Sequence, residues 1–153
     1  MGLGGRNRLA FIDIWDASWA FPRVAQRDGR IPELYNSTLS SSEVLQRHLR
    51  TGLVVKVFSN ITSWHLRSLA RPAGAPARSA LAIAGDDPAA KAAVTRFLDA
   101  IGYDTIDTDA LGSGGRRFQF GSPAFVAPCG DFNDERGTPA GVAAIRTALG
   151  MRR

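Results

Sequence analysis

The sequence has one cysteine, two lysines and no long apolar run, and each scarcity excludes a class of protein. Cys129 alone cannot form an intrachain disulfide, so we expect a reducing compartment. No segment approaches the roughly 18 apolar residues that a membrane-spanning helix needs. The apolar run near the amino terminus is broken by Asp13 and Asp16, which argues against a signal peptide. We therefore predict a cytoplasmic protein with no membrane partner.

The positive charge comes almost entirely from arginine, because Lys56 and Lys91 are the only lysines in a chain of net charge +5. The arginines are scattered and are not interleaved with aromatic residues. A nucleic-acid partner is therefore not predicted. With 153 residues, 44% of them hydrophobic, the chain is expected to form one domain with a single core.

Strands and helices alternate along the predicted chain. Apolar or β-branched runs predict strands at Leu9–Ile14, Leu53–Phe58, 79–85 and Tyr103–Thr108. Capping signals and helical spacing predict helices at 42–50, Trp64–Leu69, 88–101 and 138–149. This alternation predicts an α/β fold with a mainly parallel sheet.

The glycine-rich turn of a dinucleotide site is missing. Such a site needs a strand, then G-x-G-x-x-G, then a helix whose amino terminus faces the pyrophosphate. The glycines at 2–4 follow no predicted strand, and those at 112–115 lead into Arg116 and Arg117 instead of a helix. No P-loop is present either. The arginine pair could meet a phosphate, although a solvated loop is the favoured interpretation.

Candidate chemical groups are few. Asp86 and Asp87 stand at a helix start, where capping is favoured over a metal site or an acid–base pair. The aspartates within 104–109 lack a closing glutamate, which disfavours cation binding. His65 follows the strand 53–58, where α/β proteins often bind ligands, although a purely structural role stays open. No catalytic constellation and no metal site are predicted.

The order of several segments resembles the NADP-dependent oxidoreductase family that includes the deazaflavin (coenzyme F-420):NADP reductases, in its bacterial predicted dinucleotide-binding branch. The segments are VVKVFSNITSWHLRSL, RPAGAPARSALAIAGDD, IGYDTIDTDAL, RRFQFGSP and DERGTP. The resemblance implies NADP as cofactor and hydride transfer to or from a deazaflavin or similar redox partner. In that chemistry the protein mainly holds the two rings face to face, so no acid–base pair is needed.

The resemblance runs from about Ala10 to the carboxyl terminus and matches only the later part of the family. It implies an incomplete Rossmann-like fold that lacks the first βαβ strands, so the chain is interpreted as truncated at its amino terminus. The expected organisation is a leader at 1–8, Rossmann-like strands and helices at 9–109, and a loop-rich segment with a final helix at 110–153. The alternative is a non-enzymatic remnant, or an interaction or oligomerisation module that binds no cofactor.

Four residues match positions near the family's cofactor. Asp13 matches the aspartate at the end of a V-I-D strand, and Ser59 stands at the asparagine of V-K-A-F-N. Asn60 is one place later, and His65 matches the family's histidine. The resemblance implies that these residues bind the cofactor. It also implies that the strand at 9–14 has lost a neighbour, so we expect self-association through an exposed sheet edge.

Overall fold

The computed structural model describes residues 9–13, 38–49 and 52–151, and within 9–13 and at His48 it describes the backbone. The expected leader at 1–8 and Asp16 lie outside the described residues. No helix in the described part of the chain is long and apolar enough to cross a membrane.

Within the described residues, four strands form one sheet in the order β1-β2-β3-β4: β1 is Leu9–Asp13, β2 Leu53–Val57, β3 Ala80–Gly85 and β4 Asp104–Asp107. β1 and β2 are parallel, as are β3 and β4, but β2 and β3 are antiparallel. The α/β class is confirmed. The expectation of a mainly parallel sheet is corrected, because two strands run in each direction and the sheet is mixed.

The length of the helix after β2 explains the reversal. The helices are α1 (Ser41–His48), α2 (Ser63–Ser68), α3 (Pro88–Ala100) and α4 (Val142–Ala148), with 3₁₀ turns at Gly115–Phe118 and Ala127–Cys129. The six residues of α2 span about 9 Å, whereas the five residues of β2 span about 16 Å. The helix is therefore shorter than the strand, and β3 begins at the same end of the sheet at which β2 ends.

The predicted helices are present, with one shifted boundary. α4 begins at Val142 instead of near Thr138. The residues before it are held in extended contact with the start of β3, where Ala80 N–H donates to Ala140 O at 2.9 Å and Ala140 N–H donates to Ser79 Oγ at 3.2 Å. These bonds fix Ala140 outside a helix.

The β3–α3–β4 unit forms the centre of the core. Every residue of β3 is buried, and α3 packs against it through Ala90, Val94 and Leu98. Asp87 caps α3 by accepting the Ala90 N–H at 2.7 Å, which confirms its expected role. Asp86 accepts instead from the Leu111 N–H at 2.9 Å, so it fixes the loop that follows β4.

Candidate functional site

The chain turns sharply where β2 ends. Phe58 adopts a left-handed backbone conformation with φ of 69°, which costs a non-glycine residue about 1 kcal/mol or more. The residues that follow the turn lie in the interior, where Ser59, Asn60, Ile61 and Thr62 are all buried. Three of these four are polar, which is unusual for a buried run.

Asn60 takes the place of strand pairing beyond this turn. Its Nδ2 donates to Ala80 O at 3.2 Å, and its Oδ1 accepts from the Ala82 N–H at 3.1 Å. These bonds satisfy two backbone groups of β3 that β2 would have paired had it continued. Both ends of the Asn60 amide are therefore used inside the fold.

His65 joins α2 to a distant loop. Thr62 caps α2 by accepting the His65 N–H at 3.2 Å, and the buried ring donates through Nε2 to Asp134 O at 2.6 Å. Gly137, with φ of 63°, lies against the ring, where an added Cβ would come within 2.5 Å of Cδ2. Ser68 Oγ donates to Arg136 O at 2.8 Å in support. His65 thus holds the segment 134–137 on α2.

Within the described residues, the Ser59 hydroxyl and Nδ1 of the His65 ring are both without a hydrogen-bond partner. The Ser59 carbonyl accepts from the Val126 N–H at 3.1 Å. Its Oγ is buried and has no hydrogen-bond partner within the described residues. Asp13, the last residue of β1, is in register with Val57, so the parallel strands bring Asp13 and Ser59 to the same end of the sheet.

Lys56 is another polar residue of this region, and it lies inside the strand that the apolar run Leu53–Phe58 predicts. It is completely buried, and in the described part of the chain its Nζ has no hydrogen-bond partner. The ring of Phe118 faces Lys56, with its centroid 5.2 Å from Nζ. Burial lowers the pKa of Lys56 to about 8. In the sequence, the one sign of this buried lysine is a single charged residue inside the otherwise apolar run LVVKVF.

The segment 115–126 forms a wall beside these residues. Its 3₁₀ turn packs on the Lys56 stem, where a Cβ on Gly115 would lie 3.4 Å from Lys56 Cδ. Arg116 holds this turn on α1 by donating to Glu43 at 3.1 Å. Beyond Phe118, Phe120 is 86% exposed, and its ring meets Phe125 edge to face at 5.4 Å.

Other candidates lie elsewhere or are inert. A shallow groove on the far side of the β3–α3–β4 unit is lined by Pro88, Lys91, Thr95, Arg96 and Asp107. Within the described ranges, no three histidine, cysteine or acidic side chains converge to hold a metal. Cys129 is buried, and burial raises the pKa of its thiol to about 11, so it is not an activated nucleophile.

Comparison with solved structures gives similarity over part of the chain. No family model and no curated protein matches this sequence. A crystal structure of a protein from Arthrobacter sp. FB24, provisionally described as a coenzyme F-420-dependent NADP reductase, is 30% identical over 49% of this chain, with a TM-score of 0.42. The match spans 34% of that protein. The proposals below therefore rest on the residues of this chain.

Proposed function

We propose that this chain is part of an NADP-dependent oxidoreductase and forms the side of its cleft that faces the nicotinamide. Two observations support the proposal: the ordered family-like segments of the sequence, and the buried polar residues after β2. The unused hydroxyl of Ser59 carries most weight, because it lies just beyond the carboxyl end of β2 and is available to hydrogen-bond a ligand there.

The residues present fit a hydride-transfer site in which positioning is the main task. Ser59 Oγ can donate to or accept from the carboxamide of a nicotinamide. Asp13 ends the neighbouring strand at the same sheet end. Asn60 supports the site instead of contacting the ring, because both ends of its amide bond β3. His65 holds the segment 134–137 through Nε2, while its Nδ1 has no partner within the described residues. In this proposal the bound cofactor supplies the hydride chemistry, and a deazaflavin or similar ring is its partner.

The same proposal assigns roles to the larger segments. Residues 9–109 are the later strands and helices of a Rossmann-like domain, and 110–153 pack on it as one wall of the cleft, with 1–8 as a leader. The sequence contains no G-x-G-x-x-G motif. The pyrophosphate of NADP would therefore need donors other than those of the described site.

Titration with NADPH, followed by cofactor fluorescence, tests the proposal. We expect saturable binding in the micromolar range. Ser59→Ala should weaken it about fivefold, since one buried hydrogen bond contributes about 1 kcal/mol. Thr95→Ala removes a hydroxyl from the far groove and should leave affinity unchanged. No fluorescence change at millimolar cofactor would reject the proposal.

A second candidate function is self-association without cofactor binding, and the position of β1 favours it. Among the described strands β1 pairs only with β2, and its sequence LAFID has no proline or lysine to block a further strand. The opposite edge strand, β4, is shorter and ends in Asp107, which pairs with Lys91. If the titration shows no NADPH binding, we propose instead that β1 pairs with the β1 strand of a second copy of the chain.

Chromatography with light scattering tests this second function. The wild-type chain should elute as a dimer, and Ala10→Lys should convert it to a monomer by placing a charge on the β1 edge. Ala92→Lys, on the exposed face of α3, should remain dimeric. A wild-type monomer at every concentration would exclude the β1 interface.

A further inference from the structure

Lys56 is a buried cation for which the NADP proposal has no use. Its side chain is completely buried, and no carboxylate or carbonyl in the described part of the chain accepts a hydrogen bond from Nζ. An ammonium group carries three N–H donors, and leaving them unsatisfied away from water costs several kcal/mol. A buried lysine that destabilises the fold in this way is expected at a functional site.

The other lysine shows how this fold treats a lysine that has only a structural task. Lys91 Nζ lies 2.8 Å from Asp107 Oδ2 and donates to Oδ1 at 3.0 Å. Lys56 instead faces the ring of Phe118 at 5.2 Å, and its stem contacts Gly115. An aromatic face attracts a cation, but it does not replace hydrogen bonds to three N–H groups.

A second unused polar atom lies close by in the chain. Ser59, three residues after Lys56, is also buried and has an unpartnered hydroxyl. The Lys56 ammonium alone offers three donors and one positive charge. This is the chemistry that recognises a phosphate or carboxylate group.

We propose that Lys56 binds the phosphate or carboxylate group of a small molecule at the carboxyl end of β2. The proposal does not depend on NADP, because any small anion could provide the missing acceptors. Since Lys56 has no exposed surface, the side chain or the turn Gly115–Phe118 must move outward when the anion enters.

Thermal unfolding in defined anions tests the site. The midpoint is measured in phosphate, pyrophosphate and acetate, against chloride at equal ionic strength. An anion that binds, present at about ten times its dissociation constant, should raise the midpoint of the wild-type chain by about 4 °C. A rise with phosphate or pyrophosphate alone identifies a phosphate site, and a rise with acetate alone identifies a carboxylate site.

Two variants decide whether Lys56 is responsible. Lys56→Met should abolish the anion-dependent rise, whereas Lys91→Met, which removes the exterior paired lysine, should keep it. If Lys56→Met does not fold, Lys56→Gln is measured in its place. Equal rises in all three proteins, or no rise in the wild type with any anion, would overturn the proposal.

Discussion

The β3–α3–β4 unit and the carboxyl end of β2 differ in whether their buried basic side chains have acidic partners. In and beside the first region, Arg78 contacts Asp99 at 2.8 Å and Asp104 at 3.3 Å, and Lys91 contacts Asp107 at 2.8 Å. In the second, Lys56 and Ser59 are more deeply buried than Arg78 and Lys91 but have no polar partner for their side chains within the described residues. The first region is built for stability, and the second carries a cost that a ligand could offset.

Asn60 connects the two regions, and its removal should have the largest effect. Asn60→Ala leaves Ala80 O and Ala82 N–H of β3 without partners in the interior. We expect the free energy of unfolding to fall by about 4 kcal/mol, because each unsatisfied buried group costs about 1–3 kcal/mol. Denaturant unfolding measures the loss. The exposed Asn133 is a matched control, and Asn133→Ala should change stability little. A loss below about 1 kcal/mol for Asn60→Ala would show that β3 does not need the amide.

His65 should have an intermediate effect, visible as local opening. His65→Ala removes the bond to Asp134 O and the ring that packs on Gly137, so the segment 134–137 should detach from α2. We expect faster tryptic cleavage after Arg136 and a loss of about 2 kcal/mol. Ser68→Ala, which removes the bond to Arg136 O, should accelerate cleavage less. Cleavage at the wild-type rate in His65→Ala would contradict this role.

The Lys91 pair should have the smallest effect. Asp107 is 52% exposed, so solvent screens the attraction between its carboxylate and Lys91. Lys91→Met should lower the free energy of unfolding by about 0.5 kcal/mol or less, measured in the same denaturant series. A loss several times larger would contradict this expectation, because it would mean that the Lys91–Asp107 pair is needed to hold α3 on β4.

Local signals in the sequence predicted most of the elements. The β-branched run of β2, the Asp87 cap with Pro88, and the apolar spacing of α3 each depend on neighbouring residues, and the structure has them at those places. The reversal between β2 and β3 was not predicted, because it depends on the length of α2 and on the turn at Phe58, which no glycine marks.

The candidate site was less accessible from the sequence. The roles of Asn60 and His65 depend on groups 20 and 69 residues away, which spacing does not reveal. Lys56 meets Phe118 only through folding of the segment 115–126. Cofactor binding by Asp13, Ser59, Asn60 and His65 stays a prediction. Among the three whose side chains are described, Ser59 Oγ and His65 Nδ1 have no hydrogen-bond partner, whereas both ends of the Asn60 amide are used.

The stability of Lys56→Met across pH tests the central contrast most directly. Folding lowers the pKa of Lys56 from 10.5 to about 8, so below pH 8 the buried charge opposes folding by about 3 kcal/mol. Between about pH 8 and 10.5 the unfolded chain binds a proton that the folded chain has released, so this cost fades as pH rises. Burial of Tyr103 and Cys129, which raises their pKa values, acts equally in both proteins and cancels in the difference.

The unfolding free energies of wild type and Lys56→Met are therefore compared at pH 7 and near pH 10, without phosphate. The account predicts that Lys56→Met is the more stable protein at pH 7, by up to about 3 kcal/mol, and that the advantage shrinks toward pH 10. A variant less stable than the wild type at pH 7 would contradict the account, because it would mean that Lys56 already has an anionic partner within the chain.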